Sequence, residues 1–520
     1  MPVSVSYPGL YIEELPSSAR SIAAAPTSIA VFVGYTHPFK TSTPGQPVRI
    51  FSFSDFEREF GGLFVSASID ASLPHAVNQF FLNGGSDAYV VGLVPRYQIN
   101  DGTSQAIAAA TATLVTTGGS AMFTALEPTD HPQFQPVVTL GNVRASSAGG
   151  VLDTADFTIA YGTRVETYRG VLLSQAALDA GINRSSSLVR IAPPPGGGTL
   201  GTAFASTSIP PLTLTSTLPA NLVGTFSSLD FTGVFQANQP LDKVDIFNLL
   251  VTPGISDNGV LSAALAFAER KQAFAIMDPP RNAGADSAAP PVMVELFKSG
   301  TIPLSTNGAI YFPYLKSTNP LTGDAIELPP SGFVAGIYAR TDARRGVWKA
   351  PAGLEAVVNN TTGVVASGRM NDQAQGVYNL AGVNCLRTFP GSGTVVFGAR
   401  TLVSANPSFQ QNQYVPVRRM TLFIEQTLLQ NLRWVIFEPN DEPLWLAIRT
   451  TVENFMLSLF NQHALQGTKP SDAFQVKCDR TTTTQDDINL GRVNIVVAFA
   501  PLKPAEFVII KIAHLAGQSQ

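Results

Sequence analysis

Charge is scarce in this sequence. Of 520 residues, 13% are Asp, Glu, Lys or Arg against 45% hydrophobic, and the formal net charge is -4. A chain with no basic excess is not expected to bind nucleic acid. So little charge on so long a chain also leaves much uncharged surface, which favours burial between subunits. Cysteine is equally sparse. Cys385 and Cys478 stand in separate regions, which excludes a disulfide framework and a zinc cluster and points to a reducing compartment. Long apolar runs are missing too. The most apolar window, 29–34, is far shorter than the ~20 residues of a bilayer helix, so no direct membrane insertion is expected. Residues 1–15 lack a basic segment followed by an apolar core, so they are not expected to form a secretory signal.

Motifs of chemistry are absent as well. There is no Gly-Lys-Ser/Thr, hence no phosphate-cradling P-loop, and no Gly-x-Ser-x-Gly nucleophile elbow. His37, His75, His131, His463 and His514 form no metal-binding spacing. Gly391-Ser392-Gly393 lacks the third glycine of a dinucleotide loop and reads as a turn. Asp278-Pro279-Pro280 is expected to end a strand rather than to hold a ligand. Asp486-Asp487, after Thr481 to Thr484, reads as a solvated turn or a cap for backbone amides. Arg344-Arg345 reads as a contact or solvated face. No catalytic residue, metal or cofactor is expected.

What is present is a chain of roughly two to four domains, most regular over its last hundred residues. Val417, Met420, Ile424, Leu428, Leu432 and Val435 recur at steps of three and four, the stripe of an amphipathic helix. After Glu438-Pro439-Asn440-Asp441, which offers a cap, Leu444, Ile448, Val452, Phe455 and Leu459 predict a second helix. Three strands are expected next: 474–478, 493–499 and 507–512. The third, with Phe507, Ile509, Ile510 and Ile512, is apolar on both faces and suited to pairing with the sheet of another copy. At the other end, Val3, Val5, Tyr7, Tyr11 and Ile12 form an extended apolar arm.

Between these ends the expected order is a strand at 29–33, two short helices, and a strand at 88–94. The same grammar resumes with a strand at 244–251, a helix at 259–271, and strands at 273–277 and 309–314, plausibly in one sheet with the first part. Residues 95–240 differ in texture, rich in Ala, Thr, Ser, Gly and Pro. There Phe157, Ile159 and Tyr161 lead through Gly162-Thr163 to Val165, Thr167 and Val171, suggesting a hairpin in a β-rich insertion. The Gly-, Arg- and aromatic-rich residues 329–402 are expected to be loops that carry either chemistry or contacts. The fold class is α/β, α+β in the C-terminal part. Expected boundaries are an arm 1–20, a discontinuous core 21–95 plus 241–410, an insertion 96–240, a C-terminal domain 411–505, and a final strand 506–520.

Composition and spacing stop at a multidomain assembly protein, with an α/β enzyme carrying an oligomerising domain and a static shell or fibre subunit as alternatives. Six stretches in order resemble the contractile tail sheath family of phages, tailocins and injection systems. They are Tyr7-Pro8-Gly9-Leu10-Tyr11-Ile12-Glu13-Glu14; Phe80-Phe81-Leu82-Asn83-Gly84-Gly85; residues 329–351 with Gly346 and Trp348; Gly398-Ala399-Arg400-Thr401-Leu402; Arg433-Trp434-Val435-Ile436-Phe437-Glu438-Pro439-Asn440; and Ala500-Pro501-Leu502-Lys503-Pro504-Ala505-Glu506-Phe507. The resemblance covers all but the insertion. It implies a structural, non-enzymatic subunit that polymerises with itself around an inner tube, between baseplate and terminal cap proteins. Such a subunit is assembled in the cytoplasm into a phage tail or injection particle. In that family the C-terminal domain faces the tube and terminal arms add strands to neighbouring subunits' sheets.

Overall fold

The computed structural model describes residues 21–511 except 39, 67–68, 70, 95, 100–108, 127–130, 132–133, 147–150, 197, 216–221, 282–294, 298, 367–368 and 508. The fold is mixed α/β in two compact units. The larger comprises Ser28–Arg340 and Ala352–Ala405, and the smaller the described parts of Met1–Thr27, Thr341–Pro351 and Asn406–Gln520.

The larger unit is organised on an eight-stranded sheet in the order Pro47–Ile50, Ala88–Leu93, Ala30–Tyr35, Leu249–Val251, Phe274–Met277, Gly308–Phe312, Val383–Phe389, Gly393–Val396. The six central strands are parallel and each edge strand is antiparallel to its neighbour. Ala30–Tyr35 is buried along its whole length, as a strand covered on both faces must be, and its continuous apolar run follows from that burial. The early and late parts of the chain therefore do share one sheet. The expected strand at 244–251 forms only from Leu249. Before it, Lys271 Nζ donates to the carbonyls of Asp242 (2.9 Å) and Val244 (2.8 Å), so this stretch is tied to a side chain and not to a neighbouring strand. The strand Pro47–Ile50 was not expected; it is short, pinned at Arg49 by a bidentate contact to Asp87.

Residues 331–345 depart most from expectation. Within 329–402, Asp372–Ala381 is a helix and Val383–Phe389 and Gly393–Val396 are strands, and residues 331–345 themselves are a helix, Ser331–Arg345, and not a loop. Its Ser331 N–H and hydroxyl both donate to the buried carboxylate of Asp278 (2.8 and 2.6 Å), which also accepts from Gly254 N–H (2.9 Å). Asp278 is thus a structural acceptor at the end of a strand. Gly332 and Gly336, one turn apart, face the helix Ser72–Leu82 so closely that a Cβ would lie 2.5 Å from the carbonyl oxygens of Ala76 and Phe80. Their small size permits helix contact where composition suggests a loop.

The insertion carries its own core. Two four-stranded antiparallel sheets enclose Phe123, Phe157, Ile159, Leu178, Val189 and Phe204. The predicted hairpin is Leu152–Tyr161 with Arg164–Leu172, turned at Gly162-Thr163. Its entry and exit, Arg96–Ile99 and Leu222–Thr225, pair antiparallel as a two-stranded stalk.

Candidate functional site in the C-terminal unit

The first long helix, Val415–Asn431, has Pro416 in its first turn, where the missing N–H costs nothing. The second, Glu442–Asn461, is capped by Asp441, whose carboxylate accepts from Leu444 N–H (3.0 Å). The second predicted stripe is found whole, whereas the first helix ends at Asn431, so Leu432 and Val435 follow it and do not lie on it. Met420, Ile424, Leu444, Ile448, Val452, Phe455 and Leu459 are buried in one cluster, against which Leu428, Leu432, Trp434 and Val435 pack. The corner between the helices is held by Asn440, which accepts from Trp445 Nε1 (2.8 Å) and donates to the Arg492 carbonyl (2.9 Å). Glu438 and Pro439 are exposed there, and Phe437 is fully exposed at φ +72°.

Sequence reasoning missed the polar side of the first helix. The guanidinium of Arg419 donates to both carboxylate oxygens of Asp342 (2.9 and 2.6 Å) and to the Thr27 carbonyl (2.9 Å), with both charged side chains only 3% exposed. No signal in a single sequence joins residues so far apart. Gly346 and Trp348 belong to the same region. The Gly346 N–H closes the preceding helix onto the Asp342 carbonyl (2.9 Å), and at φ +87° a Cβ would stand 2.4 Å from the Trp348 ring. Val347 and Trp348 pack into the C-terminal cluster.

After the helices, Phe474–Lys477 and Val496–Phe499 form an antiparallel pair with Phe474 opposite Phe499 and Val476 opposite Val497. The second strand begins at Val496 and not at Val493, although Val493 and Ile495 still pack on the cluster. Between the strands, Thr484 and Asp487 cap the short helix Gln485–Asn489 reciprocally. Hydrogen bonds from Thr484 hold the Asp487 carboxyl below its ordinary range. The capping alternative for Asp486-Asp487 is therefore realised at Asp487.

Among the described residues of 507–512 the third expected strand does not form. Pro501 bridges to Leu465, Pro504 is half-buried, and residues 502–511 enter no strand where they are described. Phe507, Ile509 and Ile510 are 74%, 82% and 79% exposed. Ile512 lies outside the described residues, as do Val3, Val5, Tyr7, Tyr11 and Ile12. Among the described residues, then, the C-terminal sheet has two strands, and the same unit exposes three apolar side chains.

The remaining motif residues are structural contacts in the larger unit. Asn83 is buried; its side chain accepts from Asn359 N–H (2.8 Å) and donates to the Gln79 carbonyl (2.9 Å). Gly84 and Gly85 lie against Arg340 and the Phe80 ring with no room for a Cβ. Arg400 is buried, its backbone exchanging hydrogen bonds with the Asn384 amide (2.6 and 2.8 Å) and its guanidinium donating to the Asn379 carbonyl (3.1 Å). Burial pushes the thiols of Cys385 and Cys478 up to about 12 and about 11, so both are protonated at neutral pH. Among the described residues no cluster of His, Cys, Asp or Glu could hold a metal ion, and no helix is long and apolar enough to cross a membrane.

Comparison with known proteins matches this architecture. The solved structures similar to it include the PVC sheath complex of an extracellular contractile injection system in its contracted state, 22% identical, with 100% of each chain covered and a TM-score of 0.58. The helical sheath of the anti-feeding prophage in its contracted state is 23% identical, with 98% of this chain and 99% of the other covered and the same TM-score, 0.58. At these identities the likeness is one of fold. A tail sheath protein of Salmonella phage ViI is 27% identical over 177 residues, 34% of this chain and 26% of its own length. A putative prophage major tail sheath protein of Pseudomonas aeruginosa is 25% identical over 271 residues, 51% of this chain and 65% of its own. The matches therefore span from about a quarter to just under two thirds of these curated relatives. Residues 237–402 fit the phage tail sheath protein central domain and residues 404–513 the phage tail sheath C-terminal domain, and the chain belongs to the phage tail sheath family.

Proposed function

We propose that this chain is the repeating subunit of a contractile sheath, which polymerises helically around an inner tube and shortens to drive that tube through a target envelope. The carrying observation is a C-terminal sheet of two strands in a unit that also exposes Phe507, Ile509 and Ile510. A two-stranded sheet is marginal alone and gains stability from added strands. Exposed apolar residues in extended chain are suited to supply one to a neighbour, with main-chain hydrogen bonds giving affinity and side-chain pockets giving register. Residues 1–15 supply a second such segment, through Val3, Val5, Tyr7, Tyr11 and Ile12.

In this reading the larger unit carries the insertion outward and the C-terminal unit faces the tube. Baseplate and terminal cap proteins bound the polymer, which is assembled in the cytoplasm as part of a phage tail or injection particle. No catalytic group, nucleic acid or membrane segment takes part. Energy resides in the difference between two packings of the same subunits and is released when a kinetic barrier falls, so a small gain per subunit is multiplied along the polymer. Negative-stain imaging of the purified protein tests the reading. Hollow striated cylinders of two lengths and widths are expected; small discrete oligomers or smooth fibres that never shorten would overturn it.

A further inference from the structure

The chain at Ile22 to Thr27 lies on the first long helix in an unusual manner. It belongs to no helix or strand, yet side chains of one helix take its backbone groups at every second residue. Ala23 exchanges two hydrogen bonds with the amide of Asn431: its N–H donates to Oδ1 (3.0 Å) and its carbonyl accepts from Nδ2 (2.8 Å). Ala25 N–H donates to Thr427 Oγ1 (3.1 Å), a buried bond. The Thr27 carbonyl accepts from Arg419 Nη2 (2.9 Å), and that guanidinium is itself fixed by Asp342.

The alternation 23, 25, 27 is the period of extended chain, while 419, 427 and 431 are spaced by eight and four, one face of a helix. The dimensions agree. Arg419 to Asn431 spans about 18 Å along a helix, and Ala23 to Thr27 about 13 Å when extended, the long arginine side chain covering the difference. The polarity is antiparallel, so the chain preceding Ile22 departs where the helix ends at Asn431. Ile22 packs on the C-terminal cluster at that point, and Ala25 is buried.

We propose that Asn431, Thr427 and Arg419 are positioning residues that hold residues 22–27 as a strap, fixing where and in which direction the first twenty residues leave the subunit. This rests on the reading that those residues pair with a neighbour. When they do, tension on the arm is borne by three rungs together, one of them shielded from water. Losing the strap lets out roughly 17 Å of slack, which leaves pairing possible but the link between subunits loose. A sheath that transmits motion from one subunit to the next requires a taut link.

The test compares wild type with Thr427→Val/Asn431→Ala, Asn431→Ala alone, and Thr427→Ser, which keeps the hydroxyl. Arg419 is left intact because its pairing with Asp342 also holds the fold. Amide hydrogen exchange at Ala23 and Ala25 reads the strap, and negative-stain imaging reads sheath length and order. Circular dichroism confirms folding. Exchange is expected to speed up roughly tenfold or more in the double variant, with short or irregular sheaths, and Thr427→Ser is expected to behave as wild type. Unchanged exchange would mean that no strap forms in solution and would overturn the inference. Faster exchange with sheaths of normal length and order would reduce these bonds to local packing, and overturn it equally. Deleting residues 1–15 is the separate control. Normal sheaths from that deletion would refute the arm reading itself, and the positioning role with it, whatever the exchange result.

Discussion

Arg419 and Asp342 illustrate what one buried pair commits a structure to. Taking both charges out of water is unfavourable, and the bidentate geometry with the added Thr27 carbonyl offsets that cost. Removing one partner leaves the other charged and unanswered. Asp342→Asn is therefore expected to destabilise the protein by about 3–5 kcal/mol, read as a lower urea midpoint with an unchanged slope. A second residue governs acid response. His75 is buried in the helix Ser72–Leu82, and burial pushes its pKa down from 6.5 to about 4. Between those values the unfolded chain binds a proton that the folded chain refuses, so stability falls as pH drops from 6.5 towards 4. Full protonation corresponds to roughly 3 kcal/mol. His75→Leu is expected to flatten the dependence of the urea midpoint on pH over that window; an unchanged dependence would assign it to other groups.

Elements were legible where one face is dry. Leu444 to Leu459 and Phe157 to Tyr161 repeat at helical and strand periods because each buries one side. The helix Ser331–Arg345 was hidden because its glycines and arginines look like loop residues until Ala76 and Phe80 stand opposite Gly332 and Gly336. The segment 507–512 was legible as apolar, but among the described residues it pairs with no strand. That yields a prediction at this scale. Ile509→Pro removes a ladder donor and fixes φ, yet Ile509 lies in no strand within the chain. The folded subunit should keep its thermal midpoint while assembly is lost, as judged by sedimentation against Gln518→Pro as control. Equal assembly of the two variants would refute strand pairing at Ile509.

For the whole molecule, we propose that the insertion can be removed, at the loss of the contact in which Thr163 donates to the carbonyls of Pro320 (2.5 Å) and Leu321 (2.7 Å). Its hydrophobic cluster is distinct from the one beneath the large sheet, and its two chain crossings are neighbours in an antiparallel stalk with Ile99 opposite Leu222. Joining Ile99 to Leu222 by an Asn-Gly turn should therefore close the stalk as a hairpin. The shortened protein is expected to remain folded and to form sheaths, because the sheet and the two terminal segments are untouched. A soluble, folded variant that fails to polymerise would place the insertion in the assembly contacts.

The sequence by itself determined the composition of this protein's parts. Low charge pointed to assembly with an enzyme left as an alternative, and apolar patterns marked most of the two long helices, the central strands from Ala30–Tyr35 to Gly308–Phe312 and the insertion hairpin. These are local properties, set by which side chains must leave water along a few turns or residues. Tertiary structure alone decided what meets what: Asp342 with Arg419, Ala23 with Asn431 across 408 positions, Asp278 beneath Ser331, and the order of eight strands. Such pairings depend on polar groups brought together from distant parts of the chain. The buried ones, Asp342 with Arg419 and Asp278 beneath Ser331, depend on water being excluded around them, a condition that the folded molecule creates and that no stretch of the sequence carries.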